Sequence, residues 1–151
     1  MYIETKLGHE VVCVDPNPHS YGHEVVRSPD YPVLSRLMKA QPELDDVVLL
    51  LHHPEPSEIQ KGVDYDIEAV IKLRPKAVFI HYEIMGADGS DRLHRWMATI
   101  PGMENYCQDP PIRGPYVIPK DRYRVQDVYA ATDQRSYRAN IYGYVVLVRD
   151  D

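Results

Sequence analysis

The segment LLLHHPEP (49–56) is the first part of this sequence whose residue types could do chemistry, because an apolar run stops abruptly at two histidines and a glutamate. A second apolar run ends in HYE (81–83) and delivers a further histidine and glutamate. Imidazole and carboxylate groups transfer protons near neutral pH and also bind transition metals. These two run ends therefore predict acid–base or ligand-binding chemistry.

Alternating strands and helices must position these groups. Apolar, β-branched runs predict the strands, and apolar residues at helical spacing predict the helices. Ser90 is the predicted N-cap of the last helix, which places Leu93, Trp96, Met97 and Ile100 on one face. The predicted strands cover 9–16, 23–27, 45–53, 76–83, 122–132 and 139–151, and the predicted helices cover 28–43, 64–75 and 90–100.

This order of elements predicts a single α/β domain over residues 1–151. Residues 45–53 and 76–83 are almost continuously apolar, as is typical of parallel strands that are covered on both faces. The last two strands are joined by a short polar segment, which predicts an antiparallel pair. The expected fold is a three-layer α/β sandwich with a mostly parallel sheet and an antiparallel C-terminal pair. Ligands of such sheets bind beyond the carboxyl ends of the strands.

Composition narrows the class of protein. The chain has 151 residues and a net charge of −6, which disfavours binding to nucleic acid through phosphate neutralisation alone. Its two cysteines are too few for a disulfide framework. No apolar run approaches the ~20 residues of a membrane-spanning helix, and the N-terminus lacks a secretory pattern. We therefore expect a cytoplasmic protein without a membrane partner.

Three segments resemble class I S-adenosylmethionine-dependent methyltransferases, a Rossmann-type family. KLGHEVVCVDPNP (6–18) is similar to that family's second strand with its terminal acid, and LRPKAVFIHYEIMG (73–86) resembles the fifth strand. IYGYVVLVRDD (141–151) resembles the final antiparallel strand. The family's first strand and glycine-rich loop have no counterpart, since only eight residues precede HEVVCV and no GxGxxG occurs. The resemblance implies a degenerate or partial methyltransferase-like domain, which binds a nucleotide-like ligand or needs a partner chain for activity.

The resemblance also implies roles for individual residues. The acid at the tip of the early strand would bind the ribose of S-adenosylmethionine, and the histidine segment would occupy the position of the family's fourth-strand loop. The implied cofactor-binding residues are Asp15, Asn17, Asp30 and His52, the catalytic base is His53 or Glu55, and the substrate-binding residues are His81 and Glu83.

The same residues allow other interpretations. A small metal-dependent hydrolase would use His52, His53, Glu55 and His81 as ligands. Against a metal, neighbouring residues of a strand point to opposite faces, so the side chains of His52 and His53 should diverge. A metal is therefore not expected. Asp15 could equally form a turn before Pro16, and the histidines could simply line the sheet edge.

The C-terminal third is rich in tyrosine and arginine. This pattern is compatible with a protein–protein surface, with a nucleic-acid surface, or with tyrosines that merely suit half-exposed strands. The acidic total charge and interspersed aspartates disfavour nucleic acid, so the expected partner is another protein chain or a second copy. A non-catalytic interaction or assembly subunit is accordingly the second functional hypothesis. The Asp-Pro-Pro within 108–116 is interpreted as part of a rigid loop.

Overall fold

The chain forms two compact units, Met1–Pro42 and Glu43–Asp151. The computed structural model describes a few residues of the first unit and most of the second. The prediction of a single domain over 1–151 stays a prediction. The described residues are 14–15, 26–27, 47–60, 64–84, 86, 88–108, 116–132 and 141–150.

In the first unit, strand β1 (Val14–Asp15) pairs in parallel with strand β2 (Val26–Arg27). Both lie within the strands that were predicted at 9–16 and 23–27. The predicted helix at 28–43 lies outside the described residues.

The second unit contains four strands and three helices among its described residues. The two helices that the sequence predicted in this unit, at 64–75 and 90–100, both form, but each is one residue shorter at its N-terminal end and two residues shorter at its C-terminal end. The strands are β3 (Val48–His52), β4 (Ala77–Ile84), β5 (Tyr123–Thr132) and β6 (Ile141–Arg149), and the helices are α1 (Ser57–Gln60), α2 (Tyr65–Leu73) and α3 (Asp91–Ala98).

The strands form one mixed sheet in the order β3-β4-β6-β5. The prediction of a three-layer sandwich with a mostly parallel sheet is wrong. Within this four-stranded sheet only β3 and β4 pair in parallel, while β4–β6 and β5–β6 are antiparallel. The predicted antiparallel C-terminal pair is confirmed. The error has a physical cause: β6 returns along β5 and then hydrogen-bonds with its other edge to β4, so it takes the edge that a parallel neighbour would use. Because β4 and β5 both oppose β6, they run in the same direction.

One face of this sheet carries the core. Along β4 the side chains alternate between fully and partly buried, with Ile80 and Tyr82 inside and Phe79 and His81 on the other face. That alternation corrects the expectation that this strand is covered on both faces. The buried face packs against α2 and α3 through side chains that include Ile67, Val70, Leu93, Trp96, Met97, Val78, Ile80, Val145 and Leu147.

The second face is more open. On β3, Val48 is 60% exposed and Leu50 is 54% exposed, although the sequence predicted a strand buried on both sides. A continuous apolar run therefore does not establish double coverage.

The helix that follows β4 forms as predicted. The Ser90 side chain accepts a hydrogen bond from the backbone N–H of Leu93 at 3.1 Å, which confirms the N-cap. The four apolar residues predicted on its inner face are all buried. No helix among the described residues is long and apolar enough to cross a membrane.

Candidate functional site

The parallel pairing of β3 and β4 brings their carboxyl ends to the same edge. His52 lies opposite His81 in the strand register, and the backbone N–H of His53 donates to the carbonyl of His81 at 2.8 Å. The two segments that the sequence singled out separately are therefore neighbours, as expected for parallel strands. We call His52, His53 and His81 the histidine edge.

The side chains of His52 and His53 do not diverge. Their ring centroids are 4.7 Å apart, because β3 ends at His52 and His53 adopts a left-handed backbone with φ of 46°. The alternation of side chains holds only while the backbone stays extended. A left-handed conformation is uncommon for a residue other than glycine and is enriched at functional sites. His52 and His53 can therefore face one shared ligand, contrary to the prediction from strand alternation.

The three imidazoles form one cluster. The His52 ring stacks on the His81 ring at 5.1 Å, and the His53 ring meets the His81 ring edge-on at 4.7 Å. One nitrogen from each ring lies within 4.8 Å of the others. No other group of three histidine, cysteine or acidic side chains comes this close within the described part of the chain.

Asp88 anchors the histidine edge. One carboxylate oxygen of Asp88 accepts hydrogen bonds from Nδ1 of His53 at 2.6 Å and from the backbone N–H of Glu83 at 2.8 Å. A carboxylate that accepts a hydrogen bond from Nδ1–H leaves Nε2 of His53 as the acceptor or ligand atom. Sequence reasoning missed Asp88. The available signal was an acid in the glycine turn that follows the strand ending in HYE.

The loop that carries Asp88 is itself held from two sides. The backbone N–H of Gly89 donates to the carbonyl of Pro54, just after β3. On the other side, Nε2 of the buried His94 bonds the carbonyl of Asp88 at 2.7 Å, while Nδ1 of His94 accepts from the backbone N–H of Gln108 at 3.1 Å. His94 is therefore neutral with its proton on Nε2.

The surroundings of His52 disfavour its protonation. Partial burial lowers the pKa of His52, and repulsion from His53 and His81 lowers it further, while Asp88 opposes this effect. His52 therefore stays a neutral imidazole more readily than an isolated histidine does.

The two predicted glutamates are not members of the three-donor group. Glu55 contributes its backbone, whose N–H donates to the hydroxyl of Tyr65 at 3.0 Å. The Glu83 side chain folds back over Gly86, where a Cβ atom would overlap it. Asp15 ends β1 in the other unit, with only its backbone described. Asn17 and Asp30 lie outside the described residues.

Aromatic rings continue the open face beyond the histidines. Tyr142, which is 43% exposed, meets the ring of His53 at 5.7 Å. Phe79, Tyr144 and Tyr129 stack in sequence across three strands, with centroid distances of 5.3 and 5.7 Å. The histidine edge therefore opens onto a surface of half-exposed rings.

Burial of His94 predicts a loss of stability in mild acid. Burial lowers the pKa of His94, while its hydrogen bond to the backbone carbonyl of Asp88 and the charges of Asp66, Asp91 and Asp88 oppose this effect. The unfolded chain takes up this proton near 6.5 and the folded chain only at lower pH. The unfolded state thus binds more protons in that interval, and the free energy of unfolding falls as pH drops below about 6.5. Urea denaturation of the wild type and of His94→Gln from about pH 8 to 5 should show a smaller fall in the variant. Equal falls would contradict this origin.

Comparisons of the chain with protein-family models, with curated proteins and with solved structures found no match.

Proposed function

We infer that this protein is a partial methyltransferase-like domain, which binds a nucleotide-like ligand and uses His53 as the base that takes a proton from the methyl-accepting group. The single observation that carries the proposal is the bond of 2.6 Å between His53 and Asp88. Asp88 sets the tautomer of His53, directs Nε2 away from the carboxylate and stabilises the imidazolium that forms when Nε2 takes a proton. That arrangement is the one an acid–base histidine needs.

The order of strands supports the methyl-transfer class. The final strand β6 is antiparallel to its neighbours and lies between β4 and β5, which run in the same direction. A final antiparallel strand is the feature by which 141–151 resembles the methyltransferases. S-adenosylmethionine would supply the methyl group when bound.

Two of the residues that the resemblance assigns to this cofactor end strands, each in its own unit. Asp15 ends a strand of a parallel pair, where the resemblance requires an acid, and His52 is exposed at the carboxyl end of β3. The exposed end of β3 suits the polar part of a nucleotide-like ligand.

Calorimetric titration with S-adenosylmethionine and S-adenosylhomocysteine tests the proposal. We expect saturable heat with at least one of them for the full chain freed of metal by chelation. With a methyl-accepting substrate in hand, His53→Asn should lower turnover by about 10²- to 10⁴-fold and leave cofactor affinity unchanged. Asparagine is the chosen replacement because it tolerates the left-handed backbone of His53.

Two outcomes would contradict the proposal. Absence of heat with both ligands would exclude S-adenosylmethionine as the cofactor. Unchanged turnover in His53→Asn would show that His53 is not the base. Glu58→Gln, an exposed acid of α1, is the matched control and should behave as the wild type.

A further inference from the structure

We propose that the histidine edge binds one divalent transition-metal ion, with zinc as the best-fitting ion and His52, His53 and His81 as its three protein ligands. The inference goes beyond the proposed function and does not depend on it. The two are in competition, because Nε2 of His53 can hold a metal or accept a substrate proton but not both at once.

The geometry of the donors carries the first step. One nitrogen from each of the three rings lies within 4.8 Å of the others. Tetrahedral zinc with bonds of about 2.0–2.1 Å to imidazole nitrogen needs ligand atoms about 3.4 Å apart. The longest separation must therefore shorten by about 1.4 Å. His52 is exposed at the end of β3, so rotation of its ring can provide that movement while Asp88 holds the ring of His53.

An unpartnered nitrogen is the second, independent observation. Nδ1 of His81 is buried and has no hydrogen-bond partner. A buried polar atom without a partner costs roughly 1–3 kcal/mol. Coordination through this nitrogen would give it a partner, and metal binding would then remove a cost that the free protein carries.

Asp88 supplies the outer support that metal-bound histidines use. Histidine ligands commonly donate their second ring proton to a carboxylate, which fixes the tautomer and raises the basicity of the ligand nitrogen. His53 has this partner at 2.6 Å, and the backbone N–H of Glu83 holds the same oxygen. The carboxylate thus orients the one ring that a left-handed backbone brings into the cluster.

The chemistry of the donor set selects the ion. Three imidazoles suit zinc, copper, nickel or iron, whereas calcium and magnesium prefer oxygen ligands. Three histidines with a fourth position open to solvent are a ligand set of catalytic zinc sites, in contrast to the closed four-ligand sets of structural ones. A metal bound here would therefore retain a water ligand.

Titration with Zn²⁺, and with Co²⁺ as a spectroscopic probe, tests the inference on the full chain stripped of metal. We expect one equivalent to bind, with the visible spectrum of a four-coordinate cobalt site. His52→Ala and His81→Ala should each weaken binding at least 10-fold, and Asp88→Asn by about 10-fold or more. Glu58→Gln, an exposed acid of α1 outside the three-histidine group, is the control and should bind as the wild type does. Far-UV circular dichroism of each variant verifies that it is folded.

The outcomes separate this inference from the proposed function. Failure of the wild type to bind either metal would overturn it, as would equal affinity in His81→Ala and the wild type. Ligand heat in metal-free protein without metal binding supports the proposed function alone. Metal binding without ligand heat supports this inference alone. If both occur, zinc should inhibit turnover, and saturation with zinc without any inhibition would place the metal away from His53 and overturn the assignment.

Discussion

Replacement of Asp66 by alanine should lower the free energy of unfolding by about 3 kcal/mol or more. Asp66 is fully buried, and its carboxylate accepts four hydrogen bonds. One oxygen accepts from the backbone N–H of Ser90 at 2.7 Å and from Gln60, and the other accepts from the hydroxyl of Ser90 and the backbone N–H of Ile67. Alanine would leave several buried donors without partners.

The effect should reach the histidine edge because Ser90 caps α3 directly after the Asp88 loop. Burial raises the pKa of Asp66, whereas the hydrogen bonds from Ser90, Ile67 and Gln60 lower it. The raised pKa means that the folded state carries a cost for the charge at neutral pH. Asp66→Asn removes that charge and keeps the shape, so it should destabilise less than Asp66→Ala.

Urea denaturation at neutral pH, followed by far-UV circular dichroism, measures both changes. Asp91→Asn is the matched control: this acid lies in the first turn of the same α3 but is exposed, so its loss should cost under about 1 kcal/mol. If Asp66→Ala is as stable as this control, the hydrogen bonds from Ser90 to Asp66 do not stabilise the contact between α2 and α3.

Substitution of Gly143 by alanine should destabilise the protein by about 3 kcal/mol. Gly143 lies in β6 between Tyr82 of β4 and Ala130 of β5. A Cβ atom there would overlap the backbone carbonyl of Tyr129 and the Ile84 side chain, and would lie 3.1 Å from the Cα of Ala130. Backbone atoms of a paired strand cannot move aside without loss of ladder hydrogen bonds.

Gly102→Ala separates this clash from the general cost of replacing glycine. Gly102 has a φ of 91°, but the nearest atom to an added Cβ, on Val125, is 3.8 Å away. Backbone strain alone should therefore cost about 1 kcal/mol. Thermal or urea unfolding of the two variants gives the comparison, and hydrogen exchange of β4 and β6 amides locates the damage. Equal losses at both positions would refute the steric explanation.

Local patterns predicted local structure well. The Ser90 cap and the inward face of α3 were predicted correctly because both depend on residues three or four apart in one helix. The positions of β3 and β4 were also predicted, because an apolar run is likewise a local feature of the sequence. The sequence did not predict which sheet faces are buried, because an apolar run is the same whether one face or two is buried. It also did not predict the strand pairing, because nothing within β6 specifies that it pairs with β4 as well as β5.

By itself, the sequence determined which chemical groups this protein holds at two strand ends, because abrupt transitions from apolar to polar residues mark those ends. Only the tertiary structure decided that these groups form one cluster. Parallel register sets His52 against His81, a left-handed turn at His53 overrides the alternation of the strand, and a loop held by His94 and Pro54 delivers Asp88. Each of these depends on contacts between residues distant in the chain, which spacing along the sequence does not encode.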